Sequence, residues 1–198
     1  MTQKIGEGAR RIAASGTEII AVNPDHGPAS VEGYYDEALS LSGLISVVRE
    51  NTDADAIVLA CFDDTGLDAL RCMTDAPVLG VGEAAFHMAS MLANKFSVVT
   101  TLSRSVPAIE HNLTRYGLAT RCATVRAAEG PVLDLETKSG DARAQISAEI
   151  SRAIEEDRAE AIVLGLPNES GEIPAALEEC CREPDDAGVR DRARGLRA

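Results

Sequence analysis

One apolar strand-like segment occurs twice in this chain, and this repeat limits its fold more than any other feature. The first copy, residues 54–61, reads ADAIVLAC, and the second, residues 159–166, reads AEAIVLGL. Continuous Val, Ile and Leu runs of this length are typical of parallel strands with helices on both faces. Ligands in such folds bind beyond the carboxyl ends of strands. The repeat therefore predicts two related lobes, with Cys61 and position 166 on opposite walls of one cleft.

Short apolar runs alternate with longer amphipathic stretches along the chain, the order expected of βα units around a mostly parallel sheet. The predicted strands are residues 18–23, 56–61, 77–81, 96–101, 121–126 and 161–165. The predicted helices are residues 3–14, 34–51, 66–72, 83–94, 106–116 and 141–156. We expect an α/β fold of two Rossmann-like βαβ lobes related by pseudo-twofold symmetry, the first at residues 1–94 and the second at 95–166. Residues 167–198 are rich in Arg, Pro and Glu and are predicted to be an atypical, disordered tail.

The composition excludes several classes of partner. The formal net charge is −13 over 198 residues, which argues against nucleic acid and anionic membranes, because both attract clustered Lys and Arg. No apolar run approaches the roughly 20 residues of a membrane span, and the first residues lack the apolar segment of a secretory signal. The five cysteines and three histidines show no CxxC pair, triad or metal-like spacing. We expect a cytoplasmic protein with free thiols and no metal.

Cys61 is the first candidate for chemistry, because it ends a strand and precedes a turn and a helix. The unpaired N–H groups of that helix would favour the thiolate and stabilise a developing oxyanion. The alternative is an inert buried thiol, since free cysteines are among the most buried residues. Asp63 or Asp64 is predicted to cap the helix that begins near Thr65. Orientation of substrate N–H groups by these carboxylates stays open as a second role.

A second strand end carries a cluster of hydroxyl groups at Thr100 and Thr101. These hydroxyls could donate hydrogen bonds to a substrate carbonyl or carboxylate. Turn and cap positions before the helix that contains Pro107 explain the same residues without a ligand. Both interpretations remain open at the level of the sequence.

Four segments in a fixed order carry a family resemblance. Residues 27–38, 60–66, 82–87 and 96–110 read GPASVEGYYDEA, ACFDDTG, GEAAFH and FSVVTTLSRSVPAIE. Together they resemble the hydantoin racemases of the aspartate/glutamate racemase superfamily. The resemblance implies a two-lobed α/β enzyme with its active site between the lobes. It also implies racemisation, without any cofactor, of 5-monosubstituted hydantoins or related cyclic ureides such as allantoin.

The resemblance also assigns roles to individual residues. Cys61 matches the family's first catalytic cysteine, which removes a proton from the stereocentre. The residues that fall where the family lines its substrate pocket are Ser30, Val31, Phe62, Thr100 and Thr101. A small-molecule substrate is thus the implied partner, and a homo-oligomer is an assembly that the resemblance allows.

The chain departs from the family pattern at both ends. The family's second cysteine lies in a Gly-Cys-Ala-Gly-Met-like turn, where this chain has Gly165-Leu166-Pro167. Leucine cannot exchange a proton, so a two-base cycle lacks its second base and the activity of this chain is in question. The family's first strand is also missing, which suggests an N-terminal truncation. The composition break after Gly165 suggests a frame change, which translation of the coding DNA in the other frames would test.

Two other functions fit the same residues. One is a related activity that needs a single cysteine, such as a decarboxylase or a cis–trans isomerase, although the segments GYYDE and CFDD favour the hydantoin branch. The other is a pseudoenzyme or truncated family member that binds a ligand without turnover. Measured turnover separates the enzymes from the binding protein, and a melting transition shifted by hydantoin separates binding from misfolding.

Overall fold

The computed structural model describes residues 2–130 and 140–165 of the chain. From residue 34 onward, helices and strands alternate as the sequence predicts. The elements are α1 (Thr2–Ile12), α2 (Tyr34–Glu50), β1 (Ile57–Leu59), α3 (Leu67–Arg71), β2 (Val78–Gly80), α4 (Val81–Leu92), β3 (Phe96–Thr100), a 3-10 turn (Ser103–Ser105), α5 (Val106–Arg115), β4 (Cys122–Ala127), α6 (Gly140–Glu155) and β5 (Ala161–Gly165). The predicted helix ends and most predicted strand ends agree to within a few residues. Leu166 and the predicted tail at residues 167–198 lie outside the described residues.

The predicted strand at residues 18–23 is wrong. This segment pairs with no strand of the described residues and packs against α1 instead. A Cβ on Gly6 of α1 would lie 2.7 Å from the Ala21 Cβ, and Arg10 donates a hydrogen bond to the Ile19 carbonyl. An apolar run shows that a segment can be a strand, but a partner strand must also lie beside it.

The strands form two separate sheets. In the first, β1 pairs with β2 in parallel, with Ile57 opposite Val78. In the second, the order is β4–β3–β5 and both pairings are parallel. Parallel neighbours require crossover connections, and the helices between the strands supply them. The predicted α/β class with parallel sheets is confirmed.

The three-stranded sheet is covered on both faces around β3, all of whose residues are buried. On one face, Phe86 of α4 and Ile109 of α5 pack around Phe96 and Val98. On the other face, the α6 side chains Ile146 and Ile150 pack around Val99. The sequence-based expectation of continuous apolar strands between helix layers is met here.

The two-stranded sheet is covered on one face only. Leu59 and Val78 pack with Leu67 of α3 in a separate core cluster. Val58 and Leu79 lie opposite each other on the other face and are 61% and 52% exposed. Successive strand side chains alternate between faces, and no described element covers this one. The expectation that every strand carries helices on both faces is therefore wrong for β1 and β2.

Both ends of α5 follow the sequence signals. Pro107 lies in the first helical turn, where a missing N–H is harmless. Gly117 adopts a φ of +73° after the helix, and the Leu118 N–H donates to the Leu113 carbonyl at 2.8 Å. A glycine in this left-handed conformation is a common helix end, and here it turns the chain toward β4.

Candidate active site

Cys61 lies just beyond β1, partly buried beside the core cluster of the two-stranded sheet. Its Sγ lies 3.4 Å from the Thr65 hydroxyl oxygen, so the two side chains share a hydrogen bond. Burial raises the pKa of the thiol, and the negative charge of Asp63 acts in the same direction, whereas the Thr65 hydrogen bond lowers it. Helix α3 starts only at Leu67 and is a single short turn. The expected thiolate is thus not favoured at rest, and Cys61 rests as a thiol.

Phe62 connects the ends of the two strand copies. Its ring packs edge-on against Phe86 at a centroid distance of 5.3 Å. A Cβ on Gly165 would lie 2.5 Å from the Phe62 Cε1 atom, so only glycine leaves room for the ring at the end of β5. The residue after Cys61 therefore touches the residue before Leu166, although Leu166 itself lies outside the described residues.

Thr100 and Thr101 are both buried at the carboxyl end of β3. The Thr100 hydroxyl donates to the Gly165 carbonyl at 3.5 Å, across the β3–β5 pairing. The Thr101 carbonyl accepts the Gly130 N–H at 3.1 Å. Thr100 and Phe62 thus both meet Gly165, and β1, β3 and β5 end close together.

A salt bridge holds the loop that contains Ser30 and Val31 beside the end of β3. Ser30 donates to the buried Glu32 carboxylate at 3.2 Å. That carboxylate also forms a salt bridge with Arg104, in the 3-10 turn that follows β3. Val31, between the two bonded residues, is partly buried. Sequence reasoning missed Glu32 and Arg104, because no spacing signal relates two opposite charges so far apart in the chain.

Asp64 caps a different helix from the one predicted. Its carboxylate accepts the Gly82 N–H at 3.0 Å and the Glu83 N–H at 2.7 Å, so it caps α4 rather than α3. The Tyr116 hydroxyl donates to the same carboxylate at 2.8 Å. A Cβ on Gly80 or Gly82 would collide with this carboxylate. The glycines of the β2–α4 junction therefore make room for Asp64.

Asp63 and Glu37 form a pair of interacting acidic side chains, and the sequence did not reveal their interaction. Asp63 is 8% exposed, and burial, followed by the charges of Glu37 and Asp64, raises its pKa to about 7. Burial also raises the pKa of Glu37. The Asp63 charge contributes to the raised pKa of Cys61. The acidity of the thiol is thus coupled to a carboxyl group that titrates near neutrality.

Other site classes have no support in the described part of the chain. No group of three or more His, Cys, Asp or Glu side chains is placed to hold a metal ion there. Cys61, Cys72 and Cys122 are free thiols, and burial raises the pKa of Cys122 to about 11. None of the described helices is both long and apolar enough to span a bilayer. The converging strand ends around Cys61 remain the candidate site.

An α/β enzyme with a thiol at the meeting point of parallel strand ends is the class that this geometry indicates. Residues 1–181 match the family model described as Asp/Glu/Hydantoin racemase. The chain belongs to the Asp/Glu/hydantoin racemase family and is a racemase, an enzyme of the isomerase class. The family resemblance inferred from the sequence is confirmed.

Several known proteins are similar to this chain over most of its length. The hydantoin racemase of Pseudomonas sp. (strain NS671) is 44% identical over 191 residues, which cover 96% of this chain and 76% of the relative. The hydantoin racemase of Rhizobium meliloti is 44% identical over 167 residues, covering 83% and 69%. Among solved structures, an allantoin racemase from Klebsiella pneumoniae matches with a TM-score of 0.80 and 44% identity, covering 83% of this chain and 68% of the other. An allantoin racemase from Pseudomonas fluorescens gives a TM-score of 0.80 at 39% identity, covering 83% and 71%.

Proposed function

We propose that this chain acts on 5-monosubstituted hydantoins or closely related cyclic ureides such as allantoin, and that Cys61 moves the proton at the ring stereocentre without a cofactor. The similar proteins are hydantoin racemases and allantoin racemases by name. The observation that carries the proposal is the Cys61 thiol at the end of β1, bonded to Thr65 and followed by Phe62 on Gly165. The pocket residues in this proposal are Ser30, Val31, Phe62, Thr100 and Thr101.

The proposed chemistry is proton transfer alone. The Cys61 thiol first gives its own proton to solvent. The resulting thiolate takes the proton from the ring carbon, and the C–H electron pair moves onto the adjacent carbonyl oxygen as an enolate. Hydrogen-bond donors aimed at that oxygen stabilise the charge as it develops. When a proton returns to carbon, the C–H bond forms again and the carbonyl is restored. Nothing is oxidised or reduced, and no co-reactant is consumed.

Position 166 limits the cycle in this proposal. Racemisation requires, on each face of the planar enolate, a group that can take or give a proton. Leu166 stands where the family pattern has its second cysteine. We therefore expect Cys61 to exchange the proton on one face, with the configuration retained.

The test is hydrogen exchange measured together with stereochemistry. An enantiopure 5-monosubstituted hydantoin is incubated with the protein in D2O, and deuterium uptake and optical rotation are followed against a protein-free blank. We expect deuterium uptake above the blank while the optical rotation persists. Cys61→Ala should abolish the uptake, whereas the matched variant Cys72→Ala, at an exposed thiol, should retain it.

Two results would overturn parts of the proposal. Full racemisation at enzyme rates would refute the one-face limit, and unchanged exchange in Cys61→Ala would refute the role of Cys61. A second candidate, binding without turnover, is favoured by Leu166 alone. It predicts a melting transition raised by hydantoin but no deuterium uptake above the blank.

A further inference from the structure

A cavity of about 320 Å³ lies between the starts of α2 and α3 and one face of α5. None of the six residues assigned to the racemase site lines it. Its acidic groups include Glu37 of α2 and Asp63 of the segment after Cys61, and Tyr34 and His111 also line it. The cavity is thus a separate feature of the molecule, next to the segment that carries the thiol.

Two carboxylates of this cavity have hydrogen-bonding capacity that the described residues do not use. Asp63 is more than nine-tenths buried, at 8% exposed, and no hydrogen bond within the described part of the chain reaches its carboxylate. Its neighbour Asn112 donates to the Asp63 backbone carbonyl instead, at 2.7 Å. The Glu37 Oε1 atom is buried and also lacks a partner there. A buried acceptor without a donor is costly, so the buried Glu37 Oε1 atom, beside the unpaired Asp63 carboxylate, indicates a missing donor.

The other charged groups around the cavity already have partners. Asp64 accepts the N–H groups of Gly82 and Glu83 and the Tyr116 hydroxyl. Arg115 forms a salt bridge with Asp68 at 2.6 Å and donates to the Tyr116 hydroxyl. Arg115, a cationic side chain of the cavity lining, is therefore already paired with Asp68 and Tyr116. This leaves Glu37 and Asp63 as the unmatched pair.

We propose that this cavity binds a compact organic cation, an ammonium or guanidinium group whose N–H donors bridge Glu37 and Asp63. Such a group offers several donors to two carboxylates at once. Tyr34, whose side chain is half-exposed, supplies an aromatic face of the kind that organic cations contact. A metal ion fits less well, because the described residues hold no group of three ligating side chains. This site is additional to the proposed racemase function and does not depend on it.

The direct test is calorimetric titration of the whole protein with methylguanidinium chloride, without substrate, at about pH 8, above the pKa of about 7 for Asp63. Sodium chloride holds the ionic strength constant. We expect saturable binding that Glu37→Gln and Asp63→Asn each weaken by about tenfold or more, the usual loss for a charged hydrogen bond. Asp55→Asn, at an exposed carboxylate away from the cavity, should bind as the unmodified protein does.

Two further titrations test the proposal, one over a range of pH and one with a cation that has no N–H donor. Binding should weaken as the pH falls through about 7, because Asp63 then becomes protonated and neutral. Tetramethylammonium, which has no N–H donor, should bind more weakly than methylguanidinium. The absence of saturable binding, equal binding of both probes, or binding unchanged in both cavity variants would each overturn the proposal. If a melting curve shows that one variant is unfolded, the other variant decides.

Discussion

The two sheets of this protein are stabilised in different ways. The three-stranded sheet is covered by helices on both faces around β3, all of whose residues are buried. The two-stranded sheet leaves Val58 and Leu79 exposed on one face, and the segment that follows β1 is anchored by polar contacts of Asp63, Asp64 and Thr65. The candidate chemistry is on the less covered side.

This difference has a physical reason. A carboxylate loses much solvation free energy when it lies in an apolar layer without hydrogen-bonding partners. At the end of β1, the Asp64 carboxylate has backbone N–H groups and the Tyr116 hydroxyl as partners. The Cys61 thiol there has the Thr65 hydroxyl as its partner. The three-stranded sheet supplies apolar packing, and the polar segment holds the groups that the proposed function uses.

The largest predicted effect is the loss of unfolding free energy when the core of the three-stranded sheet is disrupted. Phe96 is fully buried and packs at 6.2 Å, ring to ring, against Phe86. Phe96→Ala should lower the free energy of unfolding by about 3–5 kcal/mol, because it leaves a cavity that the neighbours cannot fill. Val58→Ala, at a position 61% exposed, should change it by less than about 0.5 kcal/mol. Urea unfolding measures both, and equal losses would contradict the contrast between the two sheets.

The second prediction concerns pH. The folded pKa of Asp63 is raised to about 7, above an unfolded value of about 3.9. At this site the folded state therefore binds more protons between these values, so the contribution of Asp63 to stability is largest at the acid end and falls as the pH rises toward 7. This carboxyl contributes a loss of at most about 4 kcal/mol. Asp63→Asn should flatten that slope in urea unfolding across the range, whereas Asp55→Asn should leave it unchanged. An unaltered slope in Asp63→Asn would contradict the assignment.

The features that the sequence predicted well are those set by local pattern. The apolar repeat located β1 and β5, and the parallel α/β arrangement placed Cys61 and Thr100 at strand ends. Pro107 and Gly117 marked the ends of α5 because their backbone preferences act within one turn. Residues 18–23 show the limit of such patterns, since an apolar run does not determine whether a partner strand lies beside it.

The features that the sequence missed depend on how distant elements pack. Asp64 caps α4 rather than α3 because the β1 and β2 ends lie side by side, which no local pattern shows. The salt bridge between Glu32 and Arg104 joins residues 72 positions apart. The pairing of Glu37 with Asp63 likewise depends on the angle at which α2 meets the segment after β1. In each case the sequence shows the residue types but does not show which residues interact.

The third prediction tests the polar anchoring of the segment after β1. Asp64→Ala removes the acceptor for two α4 N–H groups and the Tyr116 hydroxyl. The expected loss of unfolding free energy is about 2–3 kcal/mol, because buried donors lose their acceptor. Asp64→Asn should lose less, since asparagine retains one acceptor oxygen and tolerates the φ of +50° at this position. Thermal unfolding compares the two variants, and a negligible loss in Asp64→Ala would show that apolar packing alone holds this segment.

The smallest predicted effect is at the junction between the two regions. Arg104 is 63% exposed in its salt bridge with Glu32, so Arg104→Ala should cost at most about 1 kcal/mol of stability. The same change frees the loop of Ser30 and Val31 from the end of β3. If these residues line the substrate pocket as proposed, the apparent KM for hydantoin-dependent exchange should rise about fivefold with kcat nearly unchanged, as the loss of about 1 kcal/mol of binding implies.

Exchange kinetics in D2O over a range of hydantoin concentrations measure both constants for Arg104→Ala. Arg104→Lys, which keeps the charge, should restore part of the affinity, and Arg49→Ala, at an exposed position on α2, serves as the matched control. A fall in kcat without a change in KM would place the effect of Arg104 on the proton transfer rather than on the pocket. An unchanged KM and kcat would instead show that the loop holds its position without this salt bridge.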